Sequence, residues 1–339
     1  MRKFKKIIDA FSYCLGDAVI GVYGKDIVDG KTIEVNADHR GFAASVIKVP
    51  VMFETFSQIY EGKLDPVAML PMKKEHEYDY FGIDSIGQYE YATVDNNLNS
   101  LNLNSLKRGN GRGRYNNLKC PSIIYKCQFN YDEYYEDYMS YGSYASSKYD
   151  VGKKYPLFDL LEDMVVNSGN EATNMISDAV GLNNLNKRMK KLGLKNTKMS
   201  HLIQGKWFYE KGNNDTSAKD MGILLENIYS DNFLNESCRE YMQALLNHFG
   251  KGFSGSITEK LPKGVIASGK IGVIDKHDHE VAIINNRYII CIMIYDYKTL
   301  YEPSKNFLKT NSSQATSYLA EKVFNFLNEG KNELSRHIR

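Results

Sequence analysis

Stretches rich in β-branched and aromatic residues stand at the two ends of this 339-residue chain, with a long helix-patterned region between them. Near the start, AVIGVYG (18–24) and KTIEVNAD (31–38) read as two strands joined by a turn at KDIVDG. Near the end, GVIASGK (264–270), HEVAIIN (279–285) and RYIICIMIYDY (287–297) read as further strands, with NNR as a tight turn before the last. Strands so far apart in sequence form one sheet only if the chain leaves it and returns. The expected fold is therefore α/β of the α+β type. It has an antiparallel sheet built from the N- and C-terminal segments, flanking helices, and an inserted all-helical domain with a cleft at the junction. The expected boundaries are 1–43 with 251–339 for the sheet domain and 44–250 for the helical one.

Helical spacing supports this division. Phe4, Ile7, Ile8, Phe11 and Leu15 make an amphipathic first helix. SVIKVPVMFETFSQIYEGKL (45–64) reads as a second helix, with Pro50 suited to a first turn, where its missing N–H costs little. From about 155 to 250 the pattern stays helical, and Gly181, Gly193 and Gly222 mark helix ends or close packing points. Tyr318, Leu319, Val323, Phe324 and Leu327 place a closing helix at about 313–329. A chain this long can bury a sizeable core.

Residues near 85–153 break the pattern. They are Asn- and Gly-rich, then dense in tyrosine and acid, and read as one long surface excursion. Within it, KRGNGRGRY carries Arg108, Arg112 and Arg114 in the manner of a short RNA-binding segment. It is a single copy in a chain of net charge +2, which gives no electrostatic case for nucleic acid or an anionic membrane. The 5 cysteines are scattered without a C-x-x-C pair, so neither a zinc ribbon nor a disulfide framework is expected. Cys120 and Cys127 are near enough to pair, though a reduced state is the expectation. No apolar run is long enough to span a bilayer. The basic start MRKFKK is like a secretory leader, but Asp9 and Asp17 interrupt the apolar stretch behind it, so no convincing signal peptide is seen.

Three short motifs carry the chemistry. ASVIKVP places Ser45 and Lys48 three apart, nearly one helical turn, so both side chains share a face. NSGNEATN carries Ser168, Gly169 and Asn170 at a break between helices, and ASGKIGV carries Lys270, Ile271 and Gly272 on a strand. Each has a plain structural reading. Ser45 can be an N-cap with Lys48 in solvent, Ser168 and Asn170 can cap the following helix, and Lys270 can be a surface lysine on an edge strand. In the order S-x-x-K, S-x-N, K-x-G the three favour catalysis.

With these motifs the chain resembles the class A β-lactamase-like family of penicillin-recognising serine hydrolases. The flanks DHRGFAASVIKVPVMFE, LLEDMVVNSGNEATNMI (with Asn174 where the family often has Asn), NNDTSAKDMGILL and HEVAIINNRYIICIMI extend the likeness over nearly the whole chain except the excursion. The resemblance implies a β-lactamase/transpeptidase-like fold and an acyl intermediate on Ser45. Lys48 would be the base and Ser168 a proton relay to the leaving nitrogen. Asn170 would hold a substrate amide and Lys270 attract a substrate carboxylate. The N–H groups of Ser45 and Val273 would form an oxyanion hole, with Ile271 and Gly272 lining the substrate strand. It implies a β-lactam or cell-wall peptide as partner, no metal or organic cofactor, an extracytoplasmic location and, as the favoured state, a monomer. A D-Ala-D-Ala-type peptidase or transpeptidase, and a non-catalytic binding protein on the same fold, are the alternatives.

Three departures from the family pattern matter. Gly169 stands where the family has Asp, and Ile271 where it has Thr or Ser. The glutamate that activates the deacylating water in class A enzymes falls, by counting, at Leu202, Ile203 or Gln204, so slow deacylation is expected. Gln204 and Glu210 remain as water-positioning candidates. In KHDHE, His277 and His279 share a strand face. A zinc site needs a third ligand that is not identifiable, and the resemblance, with an arginine often in this neighbourhood, implies instead a substrate contact by His279 or Lys276 at the cleft rim.

Overall fold

The computed structural model describes residues 2–78, 148–203, 213–230, 233–274, 276–297 and 312–329. Helix α1 (Arg2–Cys14) leads into strands β1 (Val19–Asp26) and β2 (Thr32–Val35), and a short β3 (Gly41–Phe42) comes after them. A 3-10 turn, Ala44–Ile47, passes into α2 (Lys48–Tyr60), and β4 (Met69–Pro71) comes next. Then come β5 (Lys154–Pro156), α3 (Leu157–Val166), α4 (Asn170–Val180) and α5 (Leu182–Lys191). After β6 (Asp215–Thr216) come α6 (Ala218–Tyr229) and α7 (Glu236–Leu246). Strands β7 (Ala267–Ile274), β8 (His277–Ile284) and β9 (Tyr288–Tyr295) precede α8 (Ser312–Asn328).

The main sheet has the order β2-β1-β9-β8-β7 and is antiparallel throughout, with Val22 opposite both Val35 and Ile292, Ala282 opposite Ile290, and Lys270 opposite Val281. Both termini therefore contribute to one sheet, as the strand pattern required. All of β9 is buried, which explains its unbroken apolar run. The side-chain period of two sends Ile290, Ile292 and Ile294 to a core with Phe4, Ile8, Leu319 and Val323 of the terminal helices. Ile289, Cys291 and Met293 go to the other core, shared with α2 and α6. Gly222 of α6 lies where a Cβ would come within 2.2 Å of the Tyr23 ring, so this glycine is a close-packing point. Gly181 and Gly193 take positive φ at the ends of α4 and α5.

Two boundaries differ from the sequence expectation, and both concern the site. The strand expected to start at Gly264 begins at Ala267 and runs to Ile274, with Lys270, Ile271 and Gly272 on it. Gly264, at φ 85°, belongs to the turn before it. The helix expected from Ser45 begins at Lys48, because Ala44 takes φ 46° and tightens the chain into the 3-10 turn first.

The arginine–glycine segment, Cys120 and Cys127 lie outside the described residues. The described residues flanking that gap converge: β4 pairs with β5, and the Glu171 carboxylate accepts the backbone N–H of Tyr78 at 3.4 Å and of Lys148 at 3.3 Å. Among the described residues no helix is long and apolar enough to cross a membrane.

Candidate active site

Ser45 sits in the 3-10 turn where the sheet hands over to α2. The turn is anchored on its β3 side, where Ala43 N–H donates to Asn214 O at 2.8 Å. Against it runs β7. A Cβ on Gly272 would lie 2.9 Å from Ser45 N and 2.8 Å from Val46 N, so only glycine lets the strand pass this close to Ser45. The Gly272→Ala variant is therefore expected to push β7 away from the turn. It should lower stability by about 1–3 kcal/mol and lose reactivity at Ser45. Thermal melting and labelling of Ser45 check this, and an unchanged melting temperature with full labelling would contradict the close approach.

Lys48 is fully buried, and its Nζ lies 3.0 Å from Ser45 Oγ, 2.9 Å from Ser168 Oγ, 2.6 Å from Ser168 O and 2.8 Å from Asn170 Oδ1. An ammonium has three N–H groups and cannot serve all these oxygens with good geometry, whereas a neutral amine can accept from one hydroxyl. Burial and then the charge of Lys270 hold Lys48 well below the ordinary lysine value, with Asp163 acting in the opposite direction. Lys270, 6% exposed, donates to Ser168 Oγ at 3.0 Å and to Ile271 O at 3.1 Å. Burial lowers its pKa to about 8. Two lysines thus converge on one serine hydroxyl.

The plain structural readings fail at each motif. The residue capping α4 is Gly169, with no side-chain cap bond, so neither Ser168 nor Asn170 serves as a cap. Lys48 and Lys270 are both buried, not solvated. Val273 is 57% exposed on the sheet's edge strand, whose outward N–H and C=O groups have no strand beside them among the described residues. Ile271 is half-buried against the core of the terminal helices.

Asn174, one turn beyond Asn170 on α4, clasps Ile203 from both sides. Its Oδ1 accepts Ile203 N–H at 2.6 Å, and its Nδ2 donates to Ile203 O at 2.7 Å. Leu202 and Ile203 bring no carboxylate to this place. Gln204 and Glu210 lie outside the described residues.

His279 corrects an expectation. It is fully buried, and its Nε2 bonds to Phe42 O at 2.8 Å, so it props the strand before the Ser45 turn instead of facing the cleft. The cause is its position on β8, an interior strand covered by β3. Burial lowers its pKa to about 3, so the ring is neutral. Asp278 and Glu280 point to the opposite face, where Glu280 accepts the N–H groups of Ser256 and Ile257. Among the described residues no group of three or more His, Cys, Asp or Glu side chains is placed to hold a metal ion.

Sequence reasoning missed Asp163. It lies three residues after Leu160, on the buried face of α3, and an acid on an apolar helix face is the signal that marks it.

A family model described as the beta-lactamase enzyme family matches residues 1–100 and 129–325. The chain belongs to the beta-lactamase enzyme family. No curated protein matches it. Proteins of known structure share its fold at low identity. A PBP-A variant, in an acyl-enzyme complex with penicillin G, is 18% identical with a TM-score of 0.64, over 96% of this chain and 97% of that one. A beta-lactamase from Sphaerobacter thermophilus is 14% identical with a TM-score of 0.65, over 96% of each chain. The chromosome-encoded beta-lactamase of Vibrio parahaemolyticus is 15% identical with a TM-score of 0.63, over 96% of this chain and 100% of that one. This beta-lactamase-family chain thus shares its fold with beta-lactamases and with PBP-A.

Proposed function

We propose that the protein acylates itself at Ser45 with β-lactam or related amide substrates and releases the product slowly. The observation that carries this is the buried Lys48 amine, within hydrogen-bond reach of both Ser45 Oγ and Ser168 Oγ. Neutral Lys48 takes the proton of Ser45 as Oγ bonds to the carbonyl carbon. The N–H groups of Ser45 and Val273 stabilise the oxyanion, a contribution of about 3 kcal/mol for such a donor. As the C–N bond breaks, the proton passes from Lys48 to Ser168 Oγ, and Ser168 gives its own proton to the leaving nitrogen. Lys270 draws the substrate carboxylate, and Asn170 holds a substrate amide. Water then splits the ester, returning Ser45. The same fold in PBP-A with penicillin G bound as an acyl-enzyme supports the reading.

The lack of a carboxylate at Leu202 and Ile203 favours penicillin-binding behaviour over fast turnover, since positioned acid–base help is worth ~10²–10⁴-fold. Intact mass after exposure to a penicillin tests the proposal: an adduct on the wild type and none on Ser45→Ala.

The lysine pair also sets a pH profile. Lys48 must be neutral to act as base, so acylation rises as pH climbs through its lowered pKa. Lys270 must be charged to hold a carboxylate, and it loses its proton as pH rises through about 8. Acylation by a carboxylate-bearing substrate is therefore expected to peak and then fall above about pH 8. A rate that climbs without a falling limb up to the ordinary lysine range would contradict the role of Lys270.

A further inference from the structure

We propose that Asp163 is the positioning residue of the Ser168–Asn170 loop, its carboxylate filling the space that a side chain at position 169 would occupy. Its consequence for catalysis rests on the acyl-serine reading. Ser168 takes φ 60°, a conformation a serine holds only when its surroundings impose it. The residues on either side of it are both held by Asp163. Asn167 N–H and Gly169 N–H donate to the Asp163 backbone carbonyl at 3.2 and 2.9 Å, and Asn167 Nδ2 donates to Oδ1 at 3.2 Å. The carboxylate itself is fastened by Lys148 Nζ to Oδ1 at 2.9 Å and by the Tyr149 hydroxyl to Oδ2 at 2.8 Å. Asp163 thus holds both shoulders of the strained serine through its backbone carbonyl, while its carboxylate bonds the Asn167 side chain and packs against Gly169.

The glycine at 169 has no conformational reason to be glycine. Its φ is −59°, open to any residue. Its reason is space: a Cβ there would lie 2.1 Å from Asp163 Oδ2 and 2.7 Å from Asp163 Cγ. A carboxylate delivered from α3 and a side chain at 169 exclude each other. The charge also reaches the site. Lys48 is faced by Lys270 from β7 and by Asp163 from α3, with opposite signs.

The test relocates the carboxylate. Gly169→Asp alone is expected to lower the melting temperature, because two carboxylates compete for one space. Asp163→Ala alone is expected to slow acylation by a penicillin by about 10²-fold, the scale of a misplacement near 1 Å. The double variant Asp163→Ala with Gly169→Asp is expected to recover most of both losses. In the isosteric Asp163→Asn, NMR of 13C-labelled lysines, assigned with Lys48→Met, is expected to move the Lys48 titration to lower pH. A double variant no better than its worse single parent overturns the proposal. So does an Asp163→Asn protein whose Lys48 titration and acylation are both unchanged. If the wild type itself takes no penicillin, the acyl-serine reading fails, while the melting series and the Lys48 titration still decide whether Asp163 holds this loop.

Discussion

Wild-type protein incubated with a penicillin is expected to gain the mass of one whole drug molecule, and Ser45→Ala to gain none. The full mass is expected because opening a β-lactam ring breaks the C–N bond without expelling a fragment. Ser45 Oγ is the half-buried hydroxyl 3.0 Å from the Lys48 amine. Removing it removes the only bond-forming atom in the scheme, so the loss is complete and not graded. Lys48→Met keeps the hydroxyl and most of the side-chain volume but removes the base. It is expected to slow labelling by ~10²–10⁴-fold. Far-ultraviolet circular dichroism separates these effects from unfolding. A stable adduct on a folded Ser45→Ala protein would show that another group reacts and would end the assignment.

The second large effect concerns release. The acyl-enzyme is expected to persist, and Ile203→Glu to speed its loss by ~10²–10⁴-fold. The position comes from geometry. Asn170 and Asn174 lie one turn apart on the same helix, the first on Lys48 Nζ and the second on both backbone groups of Ile203. The backbone of residue 203 is thereby pinned one helical turn from the catalytic amine, where a carboxylate can orient water. Following the adduct by mass after removing free drug gives the rate directly. Rapid turnover by the wild type that survives Glu210→Gln would show that water is already activated by another route. An unchanged adduct lifetime in a folded Ile203→Glu protein would show that residue 203 does not reach the ester.

The antiparallel sheet from both termini was legible because its strands carry a strong β-branched pattern. The unbroken apolar run of β9 did not show that its two faces pack into different cores. The three motifs were legible because each is a short pattern of particular residue types at fixed spacing. Less legible was the detail between them. Strand β7 starts three residues later than expected, because the apolar Val265 and Ile266 look like strand while pairing with β8 begins only at Ala267. His279 looked like a rim residue, since a histidine between charged neighbours gives no sign that β3 lies over it.

The amino-acid sequence by itself determined the sheet's composition, the order of the motifs, the lack of a carboxylate at 202 and 203, and the glycine at 169. Those depend on residue identity and local spacing, which need no partner. Only the tertiary structure decided that Lys48 and Lys270 are buried on one hydroxyl. It alone decided that Gly272 grazes the nucleophile turn, and that Asp163 from another helix fills the place beside Gly169. These depend on contacts between residues 100 or more apart in the chain, or on an empty space read from two directions, and charge burial exists only once the chain has closed around the group.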